Sequence, residues 1–277
     1  MNLAEQLEQI LDNRIAQDNL TLRLLPVTVG KASDVARRQD ATAKDFVATI
    51  ELDPVLAALL LRQAAGTGSR TLEHAVAELG PPKVRAFLAE SSANRVVESR
   101  DAKSHGATRA IWEHSRAVAI LAQDLGVLAG AAEPEVCFLA GLLHDIGKPV
   151  VATMLLEAEA QIAQRNPKLW IDGDAWIGVV ERTHRRIGVR LAKKWQFPEE
   201  VQGVTEGLTD YDPGNRQSAV NVVHFANALA KQLGICVAET PDPDIDAQVM
   251  VGKSILGLDD DGIARVSAEI KNRCKLG

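Results

Sequence analysis

At 277 residues, with 46% hydrophobic and 25% charged side chains, the chain has the make-up of an ordinary globular protein with one large domain or two small ones. Its net charge of −6 excludes a bulk electrostatic grip on nucleic acid, so only a local basic face could supply one. No apolar run approaches the ~18 uncharged residues of a membrane span, and the opening Met1-Asn2-Leu3-Ala4-Glu5-Gln6-Leu7 lacks the basic flank and apolar core of a leader, so a cytoplasmic location is expected.

Helical periodicity dominates. Leu3, Leu7, Ile10, Leu11 and Ile15 predict an amphipathic opening helix, and Pro26 makes the alternating, leucine-rich Asn19 to Val27 an extended connector and not a sheet strand. Asp53-Pro54 marks a helix start, because aspartate accepts from free N–H groups and proline fits the first turn. Val55 to Leu61 is apolar on nearly every face, which predicts burial. Leu79-Gly80-Pro81-Pro82 is a stop followed at once by a new start. Ala107 to Leu125 reads as a helix closed by Gly126, and Glu135 to Leu156 is the most hydrophobic stretch. Ile177 to Trp195 is amphipathic, and Pro198 opens a short helix. Asp210 to Gln217 is a loop, and Ala219 to Leu233 is a helix ended by Gly234. Thr240-Pro241-Asp242-Pro243-Asp244 is a connector before two short helices. No strand is predicted, and the fold class is all-α, with a boundary near residue 105 between two helical halves. The three cysteines, Cys137, Cys236 and Cys274, form no CxxC pair and give neither a zinc knuckle nor a redox dithiol.

Three histidines fall on apolar stripes. His114 shares one with Ile111, Val118, Leu121 and Leu125; His184 shares another with Val180, Ile187, Leu191 and Trp195. His144 precedes Asp145 in the apolar Phe138 to Pro149 run, where a carboxylate needs a metal, a histidine or a backbone cap. Pro149 should end or kink the helix at Asp145. Each histidine alone is most simply a core residue, but together the set predicts one converging cluster. His224 lies one position off the stripe Val220, Val223 and Asn227 and is expected to pack, while His74 and His105 should face solvent. Arg182, Arg185, Arg186 and Arg190, with Lys193 and Lys194, give one helix a basic face, most simply solvated and otherwise an anion site for a nucleotide phosphate or an acidic partner.

His114, then His144-Asp145-Ile146-Gly147-Lys148, then Glu181-x-x-His184-x-x-Ile187-Gly188 and Trp195-x-x-Pro198 resemble the HD superfamily of metal-dependent phosphohydrolases. Leu25-Pro26, Asp53-Pro54 with its leucine-rich helix, and Ala75 to Gly80 bring the resemblance closest to HDOD, the HD-related output domain. It implies a multi-helix bundle over residues 24–235, with an N-terminal helical half (24–104) and an HD-like half (105–235). Residues 1–23 would be an N-terminal helix and connector, and 236–277 a helical extension. In catalytic relatives a late aspartate completes the metal site, whereas the matching segment here carries Asn227. The histidine pair of the HD-GYP branch has no counterpart in Val204-Thr205-Glu206-Gly207-Leu208, where Glu206 is the one residue that could replace a ligand.

The resemblance therefore implies a non-catalytic bacterial signalling module acting through protein contacts. Its partners would be signalling proteins, with a nucleotide or phosphate as a candidate ligand and no membrane or nucleic-acid role. His114, His144, Asp145, His184 and Asn227 would be a vestigial metal cluster that needs no cofactor. The alternative is a phosphohydrolase using a divalent metal such as Mn, Fe or Mg, with Asp145 catalytic and Lys148 on a phosphate of a nucleotide or cyclic dinucleotide.

Overall fold

The computed structural model describes residues 3–17, 19–20, 22–93, 99, 101–131, 133–166, 171–207, 210–237 and 243–275. Among them every regular element is a helix, so the chain is all-α. The first, α1 (Leu3–Ala16), is the amphipathic opening helix; its Ile15 is buried, while the side chains of Leu3, Leu7 and Leu11 lie outside the described residues. Two helices were not legible. α2 (Pro26–Arg37) begins at the proline read above as part of a connector, because the first turn of a helix needs no N–H from its residues. α3 (Ala43–Ile50) is short, and its start is a reciprocal capping box between Thr42 and Asp45.

α4 (Pro54–Gln63) starts as expected, with the Asp53 carboxylate accepting from Val55 N at 2.8 Å and Leu56 N at 3.4 Å. α5 (Leu72–Leu79) ends at Gly80, whose φ of 75° suits a residue without a Cβ, and α6 (Pro81–Ser91) follows immediately. α7 (Ala102–Ala129) is longer than expected. It runs through Gly126, where an added Cβ would stand 3.3 Å from Cys137 Sγ, and turns only at Gly130. Gly126 thus makes room for a neighbour and does not stop the helix.

The most hydrophobic stretch is two helices. α8 (Pro134–Leu143) and α9 (Gly147–Arg165) are separated by a turn at His144-Asp145-Ile146. Asp145 therefore sits at a helix junction and not inside an apolar helix. Pro149, expected to end the first helix, occupies the first turn of the second, where its missing N–H costs nothing. The span Pro134–Gln161 is apolar enough by composition to cross a membrane, but 89% of its apolar window is buried inside the protein.

α10 (Gly173–Lys194) is capped by Asp172 and closes on Trp195, after which Gln196 takes a left-handed φ of 53°. Phe197 N then returns to the Ala192 carbonyl at 2.9 Å. α11 (Glu199–Glu206) and α12 (Ala219–Gln232) match the sequence reading. Three helices finish the chain in place of two: α13 (Ile245–Leu256), α14 (Asp260–Ala268) and α15 (Ile270–Arg273). Of the acidic connector, residues 240–242 lie outside the described residues.

The chain divides into two compact units. The first is residues 1–109 with 145–197, in which α9 packs along α10 and α1 lies on α10. The second is residues 110–144 with 198–277, in which α12 packs on α8 and α13. The two units are interleaved in sequence.

Candidate functional site

In the second unit, Gly141 on α8 lies against α7. A Cβ there would come within 2.9 Å of Ala119 Cα and the Val118 carbonyl oxygen, so the two backbones touch. His144 follows Gly141 by three residues and His114 precedes Val118 by four, so each shares a helix face with the contact point. The glycine contact thereby brings the two rings together, edge to face, with centroids 5.3 Å apart. His114 is 2% and His144 4% exposed. His114 Nδ1 donates to the Ile235 carbonyl and His144 Nδ1 to the Gly141 carbonyl, both at 2.7 Å. In the neutral rings those bonds assign the proton to Nδ1 and make Nε2 the unprotonated nitrogen.

A second glycine contact builds the site of the first unit. A Cβ on Gly147 would meet His184 C at 2.6 Å and Gly188 N at 2.9 Å, so the start of α9 rests directly on the backbone of α10. Asp145 and Lys148 flank that contact on one side, and Glu181 and His184 precede Gly188 on the other. Lys148 Nζ consequently lies 3.0 Å from Asp145 Oδ2 and 3.3 Å from Glu181 Oε1. His184 Nε2 lies 3.8 Å from Asp145 Oδ1, and its Nδ1 donates to the Val180 and Glu181 carbonyls at 3.1 and 3.0 Å.

Burial pulls the Lys148 ammonium towards its neutral form, but Asp145 and then Glu181 more than offset that, and its pKa stands above the usual lysine value. For His184 burial dominates: with help from Lys148 it outweighs the two carboxylates and holds the imidazole pKa below its ordinary value. Near neutral pH this is a charged lysine between two carboxylates, beside an uncharged histidine.

These donors fit a divalent metal only in part. Histidines that fix Nδ1 on carbonyls and offer Nε2 are suitable ligands. The Asp145 carboxylate, however, is already neutralised by an internal ammonium that a cation would have to displace. Asn227, where the resemblance implies an acid, brings a carbonyl Oδ1 that is buried and has no hydrogen-bond partner among the described residues, but no charge.

The model of the HDOD domain matches residues 22–209. The chain belongs to the HDOD family. A response regulator, MmoQ from Methylococcus capsulatus str. Bath, has a similar structure, with 23% identity over 90% of this chain and 98% of that one and a TM-score of 0.63. A chain from Shewanella amazonensis SB2B, provisionally assigned as a metal-dependent phosphohydrolase, is 20% identical over 99% of this chain and 100% of that one, with a TM-score of 0.50. At these identities the likeness shows the shared fold. No curated protein matches the chain.

The remaining candidates of this HDOD chain are scattered. His224 is 2% exposed and stacks on Tyr211 at 4.1 Å with a 12° interplanar angle; burial, with Lys231, lowers its pKa against the pull of Asp210. His74 and His105 are exposed. Arg182, Arg185, Arg186 and Arg190 are all exposed on α10, and two of them are already engaged. Asp12 of α1 accepts from Arg186 Nη1 at 2.9 Å and is ion-paired with Arg190. The sequence reading passed over Asp12 and the paired role of Glu181. It also left Gly141 unremarked, although a glycine inside an apolar helix costs about 1 kcal/mol relative to alanine and so signals a close approach.

Proposed function

We propose that the chain is a signalling output or scaffold module of the HDOD family that works through protein contacts and not by catalysis. The observation that carries this reading is the Lys148 ammonium seated 3.0 Å from the Asp145 carboxylate, with Glu181 as its second partner. A lysine there meets the carboxylate's need for a countercharge, which in a metal enzyme the ion would meet. Asn227 adds a neutral group where charge would be required. The described response regulator of the same fold is consistent with a signalling role. A cytoplasmic setting, with signalling proteins as partners, belongs to the same proposal.

The test is elemental analysis of the purified protein together with hydrolysis of cyclic dinucleotides and nucleotides in added Mn. The expected result is less than stoichiometric metal and no turnover, with signalling proteins recovered in a pull-down from the native cell. About one or two Fe, Mn or Zn ions per chain, with a hydrolytic activity lost in His144→Ala, would overturn it.

A second reading, a metal-dependent phosphohydrolase, is favoured by one specific observation: His114, His144 and His184 all bind carbonyls through Nδ1. The same assay decides between the two.

A further inference from the structure

α10 carries six basic side chains, Arg182, Arg185, Arg186, Arg190, Lys193 and Lys194, against two acidic ones in a chain whose net charge is −6. Residues 182, 186 and 190 are one turn apart, so three guanidinium groups line one stripe of the helix. The stripe has an occupant. Asp12 of α1 lies between Arg186 and Arg190, with its side chain 23% exposed while the two arginines remain 42% and 49% exposed.

α1 is lightly held. Arg14 reaches Glu157 of α9 at 3.7 Å, Ile15 is buried, and Ile10 is left 44% exposed. The helix precedes the residues 22–209 that match the HDOD model. Among the described residues neither Arg182 nor Arg185 has a carboxylate partner, and α1 therefore uses only part of the charge on offer.

We propose that the Arg182-Arg186-Arg190 stripe is a docking surface for an acidic amphipathic helix of a partner protein, and that α1 is its intramolecular occupant, seated by Asp12 and displaced when the partner binds. The proposal rests on the scaffold reading above. A partner with carboxylates one turn apart engages Arg182 as well as Arg186 and Arg190. It gains an ion pair that Asp12 alone does not make, set against the cost of uncovering the buried Ile15.

The test uses the full chain and a fluorescein-labelled peptide of residues 1–17 as the probe, read by anisotropy at low salt. Asp12→Asn is expected to tighten peptide binding by about fivefold over the wild type, the worth of two partly exposed ion pairs, and to speed amide exchange in residues 9–17. Adding Arg186→Gln and Arg190→Gln should abolish the gain. Unchanged binding and exchange in Asp12→Asn, or a gain that survives the arginine changes, would overturn the proposal. A concentration-dependent wild-type dimer dissolved by Asp12→Asn would assign the surface to a second copy's α1 and also overturn it. Because the readouts are binding and exchange, a metal-dependent hydrolase activity would defeat the scaffold reading while leaving these results distinguishable from it.

Discussion

Gly147→Ala tests the contact on which the first unit's site depends. Alanine normally favours a helix over glycine by about 0.5–1 kcal/mol, so an indifferent surroundings would make the variant more stable. Here the new Cβ would stand 2.6 Å from His184 C and 2.9 Å from Gly188 N, both backbone atoms that no rotamer can move. The nearest atom is the His184 carbonyl oxygen, and restoring ordinary contact with it requires α9 and α10 to part by roughly 1.5 Å or more, overpacking at or above the top of the usual range of about 1–3 kcal/mol. The steric term wins, with a net loss of about 2 kcal/mol or more after the propensity gain is deducted. Gly30 is the control: it lies exposed in α2 with nothing within 4 Å of an added Cβ, so Gly30→Ala should gain about 0.5–1 kcal/mol. Urea unfolding followed by circular dichroism measures both. A Gly147→Ala protein as stable as the wild type would refute the backbone contact and the site geometry built on it.

The remaining expectations concern charge and reactivity. His184 and His224 both have depressed values in the folded chain, so the unfolded chain binds more protons below their ordinary value of 6.5. Their contribution to stability is present above that value and is lost as pH falls; melting at about pH 5.5 should be lower than at about pH 7.5, and His224→Phe should reduce the difference. An unchanged difference would remove His224 from the account. Lys148, with its raised value, has the opposite sign, and its contribution disappears only as pH rises past the ordinary lysine value of 10.5. Replacing it by methionine takes the ammonium away from Asp145 and Glu181, so Lys148→Met should lower stability by about 1–3 kcal/mol and tighten Mn binding measured by calorimetry. Weaker Mn binding in the variant would show that the lysine assists the ion. Burial pushes the Cys137 thiol up to about 11, so it should react with a disulfide reagent at neutral pH far more slowly than the half-buried Cys236. Equal rates under native conditions would contradict its burial.

What could be read from the sequence was whatever neighbouring residues decide among themselves. The Asp53 cap, the Gly80-Pro81 junction and the stripes carrying His114 and His184 depend on spacing and on local hydrogen bonds, and all stand as expected. Local reasoning failed where a residue serves two purposes. Pro26 and Pro149 looked like breakers but sit in first turns, and Gly126 looked like a stop but clears space for Cys137. α2 buries only Thr28 and Ala32 among its residues, too thin a stripe to announce a helix. Which charges meet was beyond the sequence altogether. Lys148 finds Glu181, and Asp12 finds Arg186 and Arg190, across 33 to 178 positions of chain. Those pairings are set by the angle and depth at which whole helices pack, and for Lys148 and Glu181 that depth is fixed by backbone touching backbone at Gly147. A glycine records in the sequence that something comes close, but only the tertiary structure says what.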